Sequence, residues 1–210
     1  MLIDLSSPSS QAIFLVSLII AMVIHEVMHG YVAFWLGDTT AQDAGRLTLN
    51  PLKHIDLLTT IILPLVLILA HYPPLLIAKP VPFNPDRLKY EEFGAALVGF
   101  AGPASNFILA AITGVVFRFF SSGMSLLELK ALYIFAFVNI ALFIFNLIPI
   151  PPLDGSRVLY AFAPEPIQEF MQRIEAFGFL AVLAFVFILF QFFSNTFSQI
   201  ENTILQFLLG

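Results

Sequence analysis

The chain has 210 residues, 59% hydrophobic and only 11% charged, with a formal net charge of −5. A water-soluble domain carries about 25% charged residues, so this chain has too few polar groups to cover a surface in water, and lipid is its expected solvent. The absence of cysteine excludes a disulfide framework and leaves histidine and carboxylates as ligands for any metal, while the sparse basic residues form no patch that would bind nucleic acid.

In chain order, the N-terminus Met1–Pro8 has neither a basic n-region nor a cleavage site, so the first apolar segment is expected to be retained. That segment, Ala12–Leu36, is long enough to span a bilayer. It carries His25-Glu26-Val27-Met28-His29 in its middle. Helix positions four apart share a face, so His25 and His29 can point two imidazoles at one metal ion. Glu26, beside the first of them, is placed to activate a water molecule. The flanks are apolar, and ionisable side chains at membrane depth are costly and usually functional. Counting about 1.5 Å per residue from Ala12 puts His25 about 20 Å along the helix, in the cytoplasmic half of a core about 30 Å thick. Tyr31 and Trp35 suit an interfacial aromatic anchor.

The next stretch is less regular. Gly45–Pro51 alternates polar and apolar residues before a turn signal, and Pro80–Pro85 is proline-rich and reads as extended. Together they are expected to make a small sheet at the membrane face. Between them Leu57–Ala70 is a shorter apolar run containing Pro64 and stopping at His71-Tyr72-Pro73-Pro74. It reads as a short tilted span or a re-entrant hairpin. Re-entry leaves seven of the nine basic residues on the cytoplasmic side, which the positive-inside rule favours over a full crossing. His54 is an alternative metal ligand or a surface histidine near the site entrance; His71 reads as interfacial.

Phe93–Phe120 and Ala131–Ile148 are further spans, with Ile174–Phe193 a fourth and Ser194–Gly210 a mixed tail suited to an interfacial helix. In the first of these, Gly99, Ala101, Gly102, Ala104 and Ser105 favour close helix approach. Asn106 either hydrogen-bonds near the site or ties helices together, and Asn139 reads as an interhelical hydrogen-bonding residue. Asn146 to Gly155 ends an apolar helix and breaks it with three prolines. Irregular backbone at membrane depth is tolerated where protein buries it or it lines a watery cavity. Asp154 is therefore the candidate for the third ligand that a catalytic zinc needs; the plainer alternative is a solvated aspartate before a turn glycine.

His25-Glu26-Val27-Met28-His29, Gly102-Pro103-Ala104-Ser105-Asn106 and the segment from Asn146 through Pro149 to Leu153-Asp154-Gly155, in that order, resemble the site-2 protease family of intramembrane zinc metalloproteases. The resemblance covers about residues 12–160 and is greatest to compact prokaryotic members without PDZ or CBS domains. It implies His25, His29 and Asp154 as zinc ligands, Glu26 as general base, and Asn146 near the substrate carbonyl or its oxyanion. The expected fold is an all-α polytopic membrane protein, a single domain over 1–210 with a C-terminal helix and tail at 174–210. About five transmembrane helices, a re-entrant or short extra segment at 57–78 and small β-like membrane-face loops complete it. The expected function is hydrolysis of peptide bonds in or near transmembrane segments, as in regulated intramembrane proteolysis, with one Zn2+ per chain. The partners are transmembrane-protein substrates and the lipid bilayer of a prokaryotic plasma membrane. An extended edge at Leu47–Asn50 or Val81–Asn84 could hold an unwound substrate by strand addition. The alternatives are a zinc-binding membrane transporter or channel and an inactive relative that binds membrane proteins without cutting them.

Overall fold

The computed structural model describes residues 7–62, 69, 78–178, 180–181 and 190–210. The helices are α1 (Pro8–Trp35), α2 (Thr40–Asp43), α3 (Glu91–Phe120), α4 (Leu126–Asn146), α5 (Asp154–Phe162), α6 (Glu165–Glu175) and α7 (Phe190–Leu209). Local chemistry sets their ends. The Ser7 side chain caps α1 by accepting from the Ser10 N–H, with proline at the first helical position, where the missing N–H costs nothing. Ser125 and Glu128 form a reciprocal capping box at the start of α4, satisfying two donors that the helix itself leaves unpaired. Beyond α1 the chain turns at Gly37, whose φ of +107° is open to glycine at no steric cost.

Among the described residues, three helices are long and apolar enough to cross a membrane: Pro8–Trp35, Glu91–Gly123 and Leu126–Asn146. They pack on one another. Helix α3 runs antiparallel to α1, with Val98 at the His29 ring and Asn106 at the His25 ring. The inward face of α3 is built largely of small residues: Gly94, Ala96, Gly99, Ala101, Gly102, Ser105, Ala110 and Gly114 are buried. Without a hydrophobic drive between helices in lipid, close backbone approach supplies the packing energy. Ala21 of α1 meets Ile134 and Val138 of α4, and Ala33 meets Leu88 and Val98.

The all-helical reading and the three spans agree with the sequence. The β-like loops do not: among the described residues there is no strand. Pro51–His54 is a 3-10 turn, and 78–84 is extended but pairs with no ladder. Pro80 and Pro82 have no N–H, and three of the others are spent elsewhere. Lys79 donates to the His54 carbonyl, Val81 to the Glu26 carboxylate and Asn84 to the Asp38 carboxylate. The segment at 57–78, expected to be re-entrant or a short extra segment, begins as a short π-helical turn, Leu57–Ile62, and then lies largely outside the described residues, as do His71 and much of Ile174–Phe193. The tail is helical, as expected, and one stripe of it packs against the spans. Glu201, Leu205 and Leu209 of α7 are buried, and Leu205 and Leu209 pack with Ala110 of α3 and Ala136 and Ile140 of α4. Gly114 admits this helix, because a Cβ there would sit 2.8 Å from the Leu208 carbonyl oxygen.

Candidate metal centre

The 3.6-residue period of α1 sets His25 and His29 on one buried face. Their rings meet edge to face, 4.7 Å apart at an interplanar angle of 85°. Asp154 arrives from the far end of the chain as the first residue of α5, after the proline-broken segment that follows α4. The Asp154 Oδ2 atom lies 3.0 Å from His25 Nε2 and 3.4 Å from His29 Nε2. One potential ligand atom from each of the three residues falls within 4.8 Å of the others.

Two glycines of α3 make room for this meeting. A Cβ at Gly102 would stand 2.5 Å from His29 Nε2 and 2.6 Å from His25 Nε2. One at Gly99 would stand 3.0 Å from the Asp154 carbonyl oxygen and 2.8 Å from the Arg157 Cβ. A third glycine, Gly155, lets α5 begin against the end of α4, since a Cβ there would lie 2.3 Å from the Leu147 carbonyl oxygen.

Hydrogen bonds fix which ring nitrogens face the centre. The Nδ1 of His29 lies 2.6 Å from the Val98 carbonyl oxygen, which can only accept, so Nδ1 carries the proton. The Nδ1 of His25 lies 2.6 Å from Asn106 Oδ1. The Asn106 amide is oriented in turn by its NH2 group, which donates to the Ala21 carbonyl and to Asn139 Oδ1, and the Asn139 NH2 donates to the Phe135 carbonyl. Both Nδ1 atoms are thus donors, and both Nε2 atoms present lone pairs to the Asp154 carboxylate. Three lone pairs converging in a buried site repel one another unless a cation sits between them. Zinc binds imidazole nitrogen and carboxylate oxygen at about 2.0–2.1 Å, which sets ligand atoms of a tetrahedral site about 3.3 Å apart. The two nitrogen–oxygen separations fit that value, and the outer carbonyl and amide partners are of the kind that orient zinc-bound histidines.

Of the residues singled out in the sequence, His25, His29 and Asp154 come together. Glu26 is half-buried on the neighbouring face of α1, its Oε2 accepting from the Val81 N–H at 2.8 Å. Asn106 takes both of the roles open to it, as partner of His25 and as a tie to α1 and α4. Asn139 makes its interhelical bond and thereby serves the site at one remove. Asn146 closes α4 half-buried, its amide donating to the Leu142 carbonyl of its own helix at 3.1 Å. His54 is apart from the cluster: its Nε2 donates to the Thr48 carbonyl at 2.8 Å. The Val98 carbonyl and the Val81 N–H were not legible, because backbone groups carry no sequence signature.

The model of peptidase family M50 matches residues 124–189. A Bacillus subtilis protein named "Putative zinc metalloprotease YwhC" is 37% identical over 175 residues, which are 80% of this chain and 77% of that protein. The Mycolicibacterium smegmatis protein "Putative zinc metalloprotease Rip2" is 27% identical over 168 residues, 79% of this chain and 62% of its own length. "Zinc metalloprotease MJ0392" of Methanocaldococcus jannaschii is 27% identical over 150 residues, 71% of this chain and 34% of its own length. No solved structure gives a significant match.

Proposed function

The chain belongs to peptidase family M50 and is a zinc metalloprotease of the site-2 protease type; on that premise we propose which residues carry the hydrolysis and where it takes place. His25, His29 and Asp154 hold one Zn2+. The observation that carries this assignment is the convergence of their three lone pairs with both Nδ1 protons turned outward. When bound, zinc polarises the scissile carbonyl and acidifies a water molecule. Glu26 takes the proton of the attacking water and passes it to the leaving amine. Asn146, by turning its amide away from the Leu142 carbonyl, hydrogen-bonds the substrate carbonyl oxygen as charge develops there.

The protein is a membrane protein with three apolar helices of spanning length. A further crossing at 174–193 and a re-entrant or short extra segment at 57–78 complete a fold of about five transmembrane helices, within a single domain over 1–210. The substrates are transmembrane proteins, cut in or beside a spanning helix in a prokaryotic plasma membrane. A helical substrate hides its amides in its own hydrogen bonds, so the cut segment unwinds before it reaches Glu26. Glu26→Gln in purified, zinc-loaded protein tests the base. Cleavage of a transmembrane reporter is expected to fall by about 10²–10⁴ with bound zinc retained, and undiminished cleavage removes Glu26 from this role.

A further inference from the structure

Above the metal centre the extended segment Ala78–Asn84 is strapped across the end of α1, and its attachment centres on a buried cation. Arg46 is only 7% exposed. Among the described residues it makes no ion pair; its guanidinium donates instead to the Lys79 carbonyl at 2.7 Å and the Pro80 carbonyl at 3.4 Å. A buried charge is expensive unless it is paired or hydrogen-bonded, and among the described residues these two carbonyls are the partners Arg46 has. The next residue along the strap is Val81, whose N–H reaches the Glu26 carboxylate. Gly30, one turn beyond Glu26, lets the strap lie on the helix: a Cβ there would meet Val81 Cγ1 at 3.0 Å and Leu47 Cδ2 at 2.6 Å. The His54 carbonyl accepts from the Lys79 N–H at 2.8 Å, so the loop bearing Arg46 grips the strap from both sides of its backbone.

We propose that Arg46 is a positioning residue for Glu26: it fixes the Lys79 and Pro80 carbonyls so that the Val81 N–H holds one carboxylate oxygen of Glu26 and leaves the other for the reacting water. A free glutamate has three rotatable side-chain bonds. Pinning Oε2 to a backbone donor cuts that freedom, and proton transfer requires the base within hydrogen-bond reach of its proton. A side chain such as serine could make the same bond but would carry its own rotamers. A backbone N–H between two prolines is stiffer, since Pro80 and Pro82 fix their own φ angles and restrict the residue before each of them. The inference rests on Glu26 acting as the base.

The prolines also make the test direct. Because Pro80 and Pro82 have no amide proton, Val81 carries the one exchangeable backbone amide between Lys79 and Phe83. Hydrogen–deuterium exchange of that amide in the detergent-purified protein is expected to be slow, and to speed up by about 10-fold or more in Arg46→Ala and in Glu26→Ala. Parental exchange in Arg46→Ala overturns the proposal. This reading involves no turnover, so it stands or falls separately from the protease assignment, which fails if the zinc-loaded parent cleaves no transmembrane reporter. In the cleavage assay Arg46→Ala is expected to lower kcat by about 10- to 100-fold, with KM and bound zinc at parental values and partial recovery in Arg46→Lys. A rise in KM at unchanged kcat, or zinc lost in step with activity, overturns it. If Arg46→Ala does not fold, Val81→Pro removes the N–H, together with the valine side chain that packs at Gly30. The same loss of kcat is then expected, and parental kcat refutes the assignment.

Discussion

Replacing Gly102 by alanine adds one methyl group at the point where α3 passes the rings of His25 and His29. Its Cβ would lie 2.5 Å from His29 Nε2 and 2.6 Å from both Cε1 and Nε2 of His25, where ordinary contact begins at 3.4 Å. Something must therefore give by 3.4 minus 2.5, or about 0.9 Å. The rings are poorly placed to give. His25 is tied to Asn106 and His29 to the Val98 carbonyl, and leaving such a buried group unpaired costs about 1–3 kcal/mol. Separating α3 from α1 instead costs about 1–3 kcal/mol of strain, as overpacking usually does. Either way the imidazoles and their acceptors on α3 are displaced from one another by about 1 Å, a misplacement worth about 100-fold in rate, and zinc affinity is expected to fall by about 10- to 100-fold. The assay pairs bound zinc per chain, at graded free zinc, with cleavage of a transmembrane reporter. Gly123→Ala is the control, since a Cβ there meets nothing within 4 Å. Gly102→Ala that binds zinc and cleaves like the parent refutes the account of how α3 frames the site.

Other outcomes follow from the same contacts. Asn106→Ala strips His25 of its Nδ1 acceptor and leaves the Ala21 carbonyl and Asn139 Oδ1 without their donor; zinc affinity measured by competition with a chelating dye should drop about 10- to 100-fold. Removing zinc with a chelator should lower the melting temperature, because a ligand that binds only the folded state stabilises it by mass action, and zinc should restore it. Asp38 lies just beyond α1. Burial raises its pKa, but the Thr40 hydroxyl, the Asn84 and Thr40 N–H groups and the charge of Arg87 outweigh this and hold it below the usual carboxylate value. A lowered carboxylate contributes stability that is full above the unfolded-state pKa and is lost as pH falls through the native one. The melting temperature should therefore fall on acidification below the ordinary carboxylate range, and fall less steeply in Asp38→Asn. Equal pH dependence of the two proteins contradicts this role.

The convergence of His25, His29 and Asp154 was legible because helix periodicity puts the two histidines on one face whatever surrounds them, and because three prolines before Asp154 mark irregular backbone at membrane depth. Hydropathy likewise exposed the three long spans. The relay from Asn139 through Asn106 to His25 was only half legible: two asparagines in apolar helices announce hydrogen bonds, but their partners depend on how α1, α3 and α4 rotate against one another. The expected sheet failed for a different reason. Alternation and proline suggested extended chain, which is present, but a ladder needs free N–H and carbonyl groups. Pro80, Pro82 and Pro85 remove donors, while Glu26, Asp38, His54 and Arg46 take up others. The expected tail helix is present, but its packing was not legible: Glu201, Leu205 and Leu209, one and two turns apart, form a buried stripe, and Gly114 on a different helix is what admits it.

The central claim is that two imidazoles of the first span and a carboxylate 129 positions after His25 share one ion. Zinc K-edge absorption spectroscopy on the purified protein and on Asp154→Ala tests it most directly. Two imidazole nitrogens and one or two oxygens at about 2.0–2.1 Å are expected in the parent, with one oxygen ligand or most of the zinc lost in the variant. An unchanged zinc content and coordination shell in Asp154→Ala, or a parent shell with fewer than two imidazoles, contradicts the account.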